Sequence, residues 1–150
     1  MYISARSDYG LRALITLAAT GRPMTADELA RSQGLPVSYL EATLLDLRRA
    51  GLIASRRGPD AGYRFVRPAE EVTPADVMRA LDGPLAEVRG LRPEATAYDP
   101  PAQALQQLWV GVRAGLRHVL EGVTIAELAT GRLPERLAQL VADPDAWASR

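Results

Sequence analysis

The sequence predicts a mainly α-helical chain carrying one small β-hairpin and, nearer its C-terminal end, one long helix. Three observations predict this class. A hydroxyl followed three residues later by an acid recurs at Thr25–Glu28, Ser38–Glu41, Thr73–Asp76 and Thr124–Glu127, the spacing that closes the first turn of a helix. Two short apolar runs, Leu52–Ser55 and Tyr63–Val66, flank the turn-rich segment 56–62, as strands flank a hairpin turn. Leu105, Leu108, Val112, Leu116, Val119 and Val123 then keep the alternating three/four spacing of a helical seam, widened by Trp109 and Leu120.

Each element follows in order. Leu11, Leu14, Ile15 and Ala18 share one face of a first helix. Arg6, Arg12 and the apolar run after them imitate a signal peptide, but Asp8 and the short apolar core argue against one. No stretch approaches the ~20 apolar residues of a membrane span, so a cytoplasmic location with no membrane partner is expected. Gly21, Gly34 and Gly51 mark helix ends. Between Thr25 and Gly51 the pattern is a short helix, the turn Gly34-Leu35-Pro36, and a longer helix carrying Leu40, Leu44 and Leu47, which is the helix-turn-helix signature. A hairpin directly after it reads as a wing.

Three of the four capping pairs are capping boxes in the strict sense. Thr73–Asp76 is a weaker relative that Pro74 strengthens, and it opens a helix over 74–81. Residues 82–101 show no periodicity and hold Gly83, Pro84, Gly90, Pro93, Pro100 and Pro101, a length of irregular chain that tends to be functional or mobile. In the long helix Gly111 and Gly115 sit one turn apart and admit a close backbone. The apolar stripe is too long for one short helix of the same chain to cover, so it reads as a subunit interface. Packing wholly within the monomer is the other reading. The tail beyond Gly131, with Pro134, Pro144 and Trp147, carries one more short helix and otherwise looks weakly ordered. The organisation is thus a winged helix-turn-helix DNA-binding region (1–67), a linker helix and sensor-like loop (68–101), a long dimerisation helix with a following short helix (102–130), and the tail (131–150).

The composition excludes several classes. There is no cysteine and a single histidine among 150 residues. Disulfides, thiolate zinc sites, cysteine-held iron–sulfur clusters, thiol nucleophiles and multi-histidine metal sites are therefore ruled out, and no metal or cofactor is expected. His118 has no acid or serine spaced to pair with it, and neither a nucleophile elbow nor a phosphate loop is present; the chain does not read as an enzyme. The net charge is zero, but residues 1–67 carry ten arginines against six carboxylates, and the remainder is acidic by the same margin. From Arg48 to Arg67 six arginines meet one acid, Asp60. Such a local cationic footprint suits a phosphate backbone; a solvated surface with chance clustering is the alternative.

Several motifs in order carry a family likeness: Ser7-Asp-Tyr-Gly-Leu-Arg-Ala-Leu14, Leu35-Pro-Val-Ser-Tyr-Leu-Glu41, Leu47-Arg-Arg-Ala-Gly-Leu-Ile53, Ser55-Arg-Arg-Gly-Pro-Asp-Ala-Gly-Tyr63 and Thr124-Ile-Ala-Glu-Leu128. From residue 1 to about residue 130 the sequence resembles the Rrf2 family of winged helix-turn-helix transcriptional regulators. The resemblance implies a homodimer whose long helices cross and set two winged heads on successive major grooves of a double-stranded, pseudo-palindromic operator, more often as a repressor. It places Ser38, Tyr39 and Glu41 at base edges, Arg57 in the minor groove, and Gly58, Gly62 and Tyr63 as shapers of the wing.

The residues also admit plainer roles. Ser38 and Glu41 already read as a cap, and Tyr39 either stacks over a sugar or covers the helix. Arg48, Arg49, Arg56 and Arg64 are phosphate contacts, which position without reading sequence. Leu105, Leu108, Trp109, Val112, Leu116, Val119 and Leu120 form the expected dimer interface. Sensing members of the family bind an iron–sulfur cluster through three cysteines in the loop before the long helix, and residues 91–103 contain none. Asp8 stands where some relatives use an acidic ligand and here serves local helix charge. The likeness is thus to a cysteine-free branch with no cluster. Its loop and long helix are candidate walls for a small-molecule or protein effector, with Tyr98 and Trp109 either lining that pocket or packing as core. A winged helix that binds protein rather than DNA is the rival reading.

Overall fold

The computed structural model describes residues 2–149. Its helices are α1 (Ala5–Thr20), α2 (Ala26–Gln33), α3 (Val37–Arg49), α4 (Pro74–Asp82), α5 (Ala104–Leu120), α6 (Ile125–Ala129) and α7 (Glu135–Ala142), and its two strands are β1 (Ile53–Arg56) and β2 (Gly62–Phe65). Short 3-10 turns lie at Ala69–Glu71, Pro93–Ala95 and Pro144–Trp147. The fold is mainly α with a two-stranded wing, as the patterning predicts.

Side chains set the helix starts. Thr25 with Glu28, Thr73 with Asp76 and Thr124 with Glu127 are reciprocal capping boxes, each hydroxyl accepting from the third N–H and each carboxylate accepting from the cap N–H. Thr73–Asp76 is therefore as complete as the others. Ser38–Glu41 is not a cap. The N-cap of α3 is Pro36, no side chain closes that end, and the Leu40 N–H donates to the Pro36 carbonyl at 3.0 Å. The ring of Pro36 fixes an extended residue before the helix, so winding begins one residue before Ser38. The N-cap of α1 is Ser4, which accepts from the Ser7 N–H at 2.9 Å. Both hydroxyls also donate to Asp82, at 2.5 and 2.6 Å, pinning the start of α1 to the end of α4.

The core lies where α1, α2, α3 and α4 converge over the hairpin. Leu14, Leu29, Leu40, Leu44, Leu47, Ile53, Val77 and Ile125 are essentially inaccessible, and burying each contributes roughly 1.5–3 kcal/mol as an upper estimate. The strands pair antiparallel with Ile53 opposite Phe65 and Arg56 opposite Gly62, one residue later and one earlier than the runs predicted. Tyr63 exchanges two backbone hydrogen bonds with Met24, at 2.7 and 3.2 Å, so the α1–α2 connection flanks the wing.

Beyond α4 the chain forms the predicted irregular loop, tightened by a small bridge between Val88 and Leu91. No residue of α5 is buried. The helix ends at Leu120, so Val123 is not part of the helical seam. The chain turns at Glu121 and Gly122, buries Val123, and docks α6 on the head through the Ile125 N–H and the Val72 carbonyl at 2.8 Å. The tail does contain one short helix, α7. No described helix is long and apolar enough to cross a membrane.

Candidate nucleic-acid interface

Alternation along α3 creates two faces. Leu40, Thr43, Leu44 and Leu47 are buried against the head, which leaves Ser38, Glu41, Ala42, Arg48 and Arg49 on the solvent side. Because no side chain caps α3, its first N–H groups and the positive end of its dipole remain open to an anion. Ser38 is thereby released from a structural duty, and Glu41 is exposed. Tyr39 is 45% exposed. Its ring meets Tyr9 of α1 edge-on, with centroids 5.4 Å apart and planes at 83°, while the Arg12 guanidinium lies 5.9 Å from the Tyr9 ring. Tyr39 is held from beneath and presented outward.

The hairpin register decides the wing's arginines. Arg56 and Arg64 both point away from the head, since Ile53 and Phe65 occupy the inner face. Arg57 precedes a turn closed by the Ala61 N–H on the Gly58 carbonyl at 3.0 Å. Among the described residues the side chains of these three arginines make no hydrogen bond or ion pair, so their charge is available. The rest of the cationic cluster is partly occupied. Arg48 donates to the Ser55 hydroxyl at 3.0 Å, Arg49 reaches Asp46 at 3.4 Å, and Arg67 pairs with Asp76 at 3.0 Å.

Sequence reasoning missed the two contacts that position the wing. One is the Arg48–Ser55 bond, joining α3 to β1. The other is Met24, whose only sequence signal is an apolar residue just before the Thr25 cap. Near that cap, Glu28 is held below its ordinary range, first by the Thr25 N–H and then by Arg22. Asp8 pairs with Arg12 one turn on, at 3.6 Å. On α5, the Trp109 N–H donates to the Tyr98 hydroxyl at 3.1 Å, so these two aromatics tie the loop to α5.

A family profile described as "Rrf2: Iron-dependent Transcriptional regulator" matches residues 3–131. The chain belongs to the Rrf2 family. Rv1287 of Mycobacterium tuberculosis, named as a candidate HTH-type transcriptional regulator, is 43% identical over 145 residues, 95% of this chain and 90% of that protein. The HTH-type transcriptional regulator CymR of Bacillus subtilis is 33% identical over 132 residues, 87% and 91% of the two chains. The solved structure of B. subtilis CymR superposes with a TM-score of 0.74 at 31% identity, covering 89% of this chain and 99% of CymR. That of T. potens IscR superposes with a TM-score of 0.67 at 25% identity, covering 100% and 93%. This Rrf2 chain is a DNA-binding transcriptional regulator and not an enzyme.

The iron in the family's description does not fit the donors here. Among the described residues no three of His, Cys, Asp and Glu stand together as a metal site. One of the loop's carboxylates, Glu94, is taken by Arg113.

Proposed function

We propose that this Rrf2 protein is a cytoplasmic homodimer that represses transcription by occupying a pseudo-palindromic operator. The observation that carries this reading is the bareness of α5. Leu108 is 54% and Val112 44% exposed, on a helix that has no fully buried residue and meets its own chain mainly through the 93–98 loop. At about 100° per residue, Leu105, Leu108, Val112, Leu116 and Val119 share one side, with Trp109 and Leu120 at its margin toward the loop. A second copy crossing there covers the stripe, and an added Cβ at Gly111 or Gly115 meets nothing within 4 Å, which leaves room for its backbone.

Two heads so joined engage half-sites about one helical turn apart. Each lays the start of α3 in a major groove, with Ser38, Tyr39 and Glu41 at base edges; Glu41 accepts from a cytosine amine or excludes other sequences by repelling phosphate. Arg57, held beside Gly58, enters the minor groove, whose narrow segments concentrate negative potential. Arg48, Arg49, Arg56 and Arg64 contact phosphates. An effector changes the spacing or tilt of the heads, because affinity depends on both engaging together.

Genomic fragments retained by the purified protein supply the operator, and fluorescence anisotropy then measures the effect of Arg57→Ala. The expected loss is about tenfold or more, the cost of roughly one specific contact per half-site. Unchanged operator affinity in the variant overturns the wing assignment, and a wild-type chain that retains no fragment at low salt overturns the reading as a whole.

A further inference from the structure

Where the head meets the long helix, α4, the 83–101 loop and α5 enclose an open cleft of about 500 Å³. Its lining is cationic. Arg79 comes from α4, Arg92 and Glu94 from the loop, and Arg113 and Arg117 from α5, above the turn at 83–86. Glu94 pairs with Arg113. Glu121, just past α5, pairs with Arg79 and accepts from the Arg117 Nε at 3.1 and 3.3 Å. Both carboxyls are ionised at neutral pH. Glu94 is held low first by its own backbone N–H and then by Arg113, and Glu121 by Arg79 and Arg117. Four guanidiniums therefore face two carboxylates, a surplus of two positive charges. The Arg92 side chain makes no hydrogen bond or ion pair among the described residues, and its charge acts on Glu94 only through space.

That surplus is the signature on which the inference rests. A chain with no net charge gathers four arginines from three elements into one concavity and leaves it half neutralised. Guanidinium forks match the paired oxygens of carboxylates and phosphates, and like charges held together favour an anion that spans them. We propose that the cleft binds one small dianion, a phosphate monoester or a dicarboxylate, and that the bound ligand locks α4 of the head to α5. The binding stands on the cleft alone. The ligand's role as effector rests on the operator reading, since α4 belongs to the head and α5 to the proposed dimer.

Calorimetry on the whole chain without DNA tests it, using glycerol 3-phosphate and succinate as probes and sodium chloride at matched ionic strength as control. The expected result is one site per chain for at least one probe, weakened about tenfold or more by Arg92→Ala, the loss of a charge-assisted contact. The Arg92 side chain is exposed and makes no hydrogen bond, so the variant keeps its fold, and an unchanged ligand-free melting temperature verifies this. Which probe binds distinguishes the two ligand sources. No uptake of either beyond the chloride control, or equal uptake by Arg92→Ala, overturns the site. With operator present, the bound probe changes DNA affinity in the wild type and not in Arg92→Ala; an unchanged wild-type affinity overturns the locking. A chain that binds the dianion but no DNA sinks the operator reading and spares the cleft, and one that binds DNA but neither probe does the reverse.

Discussion

At Gly62 a Cβ would stand 2.6 Å from the Met24 carbonyl carbon, and φ is +141°. Backbone cannot yield as a flexible side chain can, so Gly62→Ala both clashes and strains. The expected cost is on the order of 2 kcal/mol, measured as a lower urea midpoint with unchanged slope. Gly58 is the contrast: its φ is +105° but nothing lies within 4 Å, so Gly58→Ala costs about 1 kcal/mol, from conformation alone. The wing's glycines were legible in sequence as turn residues; Met24, the neighbour that makes one of them irreplaceable, was not, because a two-residue bridge leaves no periodicity. Ser38 and Glu41 failed in the opposite sense. A hydroxyl and an acid three apart are also ordinary neighbours on a helix surface, and only Pro36 discriminates between a cap and a first turn already under way.

Among the elements, α5 carries the sharpest expectations. Val112→Glu puts a charge in the middle of the stripe while disturbing no intrachain packing, because Val112 is exposed. At micromolar concentration sedimentation equilibrium should show pairs for the wild type and single chains for the variant, with the helical circular dichroism of the variant retained. The stripe itself was readable from spacing, since a seam needs only its period. Its end was not: Val123 keeps the spacing but lies beyond the helix, where docking of Ile125 against Val72 overrides the pattern.

The link from α4 to α5 has its own pH dependence. Glu121 is held low by Arg79 and Arg117, so its stabilising contribution is full above its ordinary value of 4.5 and is lost as pH falls through the folded value. Glu28 and Glu94 follow the same sign. The urea midpoint should drop between about pH 5 and about pH 3, and Glu121→Gln should flatten part of that drop.

For the whole molecule, a chain of zero net charge that leaves the side chains of Arg56, Arg57 and Arg64 unpaired on the wing should still bind DNA with a steep salt dependence. The logarithm of affinity falls by about 0.9 per neutralised phosphate for each unit in log salt. Val112→Glu, reduced to single chains with one head per molecule, should show about half the wild-type slope; an equal slope would mean that one head makes all the phosphate contacts. The division into head, loop and spine was visible in sequence through caps, glycines and the change of period. The basic cleft was not, because Arg79 and Arg92 lie more than a dozen residues from each other and from the Arg113–Arg117 pair, and only the fold gathers them.

The double bond between Met24 and Tyr63, together with the Arg48–Ser55 contact, has a consequence for target choice. Helix α3 and the hairpin are tied to a common frame, so on the proposed operator the protein holds their separation. The accommodation falls to the DNA. Base pairs bridged by the frame and touched by nothing should matter through stiffness and groove width, and substitutions at those silent positions should shift affinity even though no side chain reaches them.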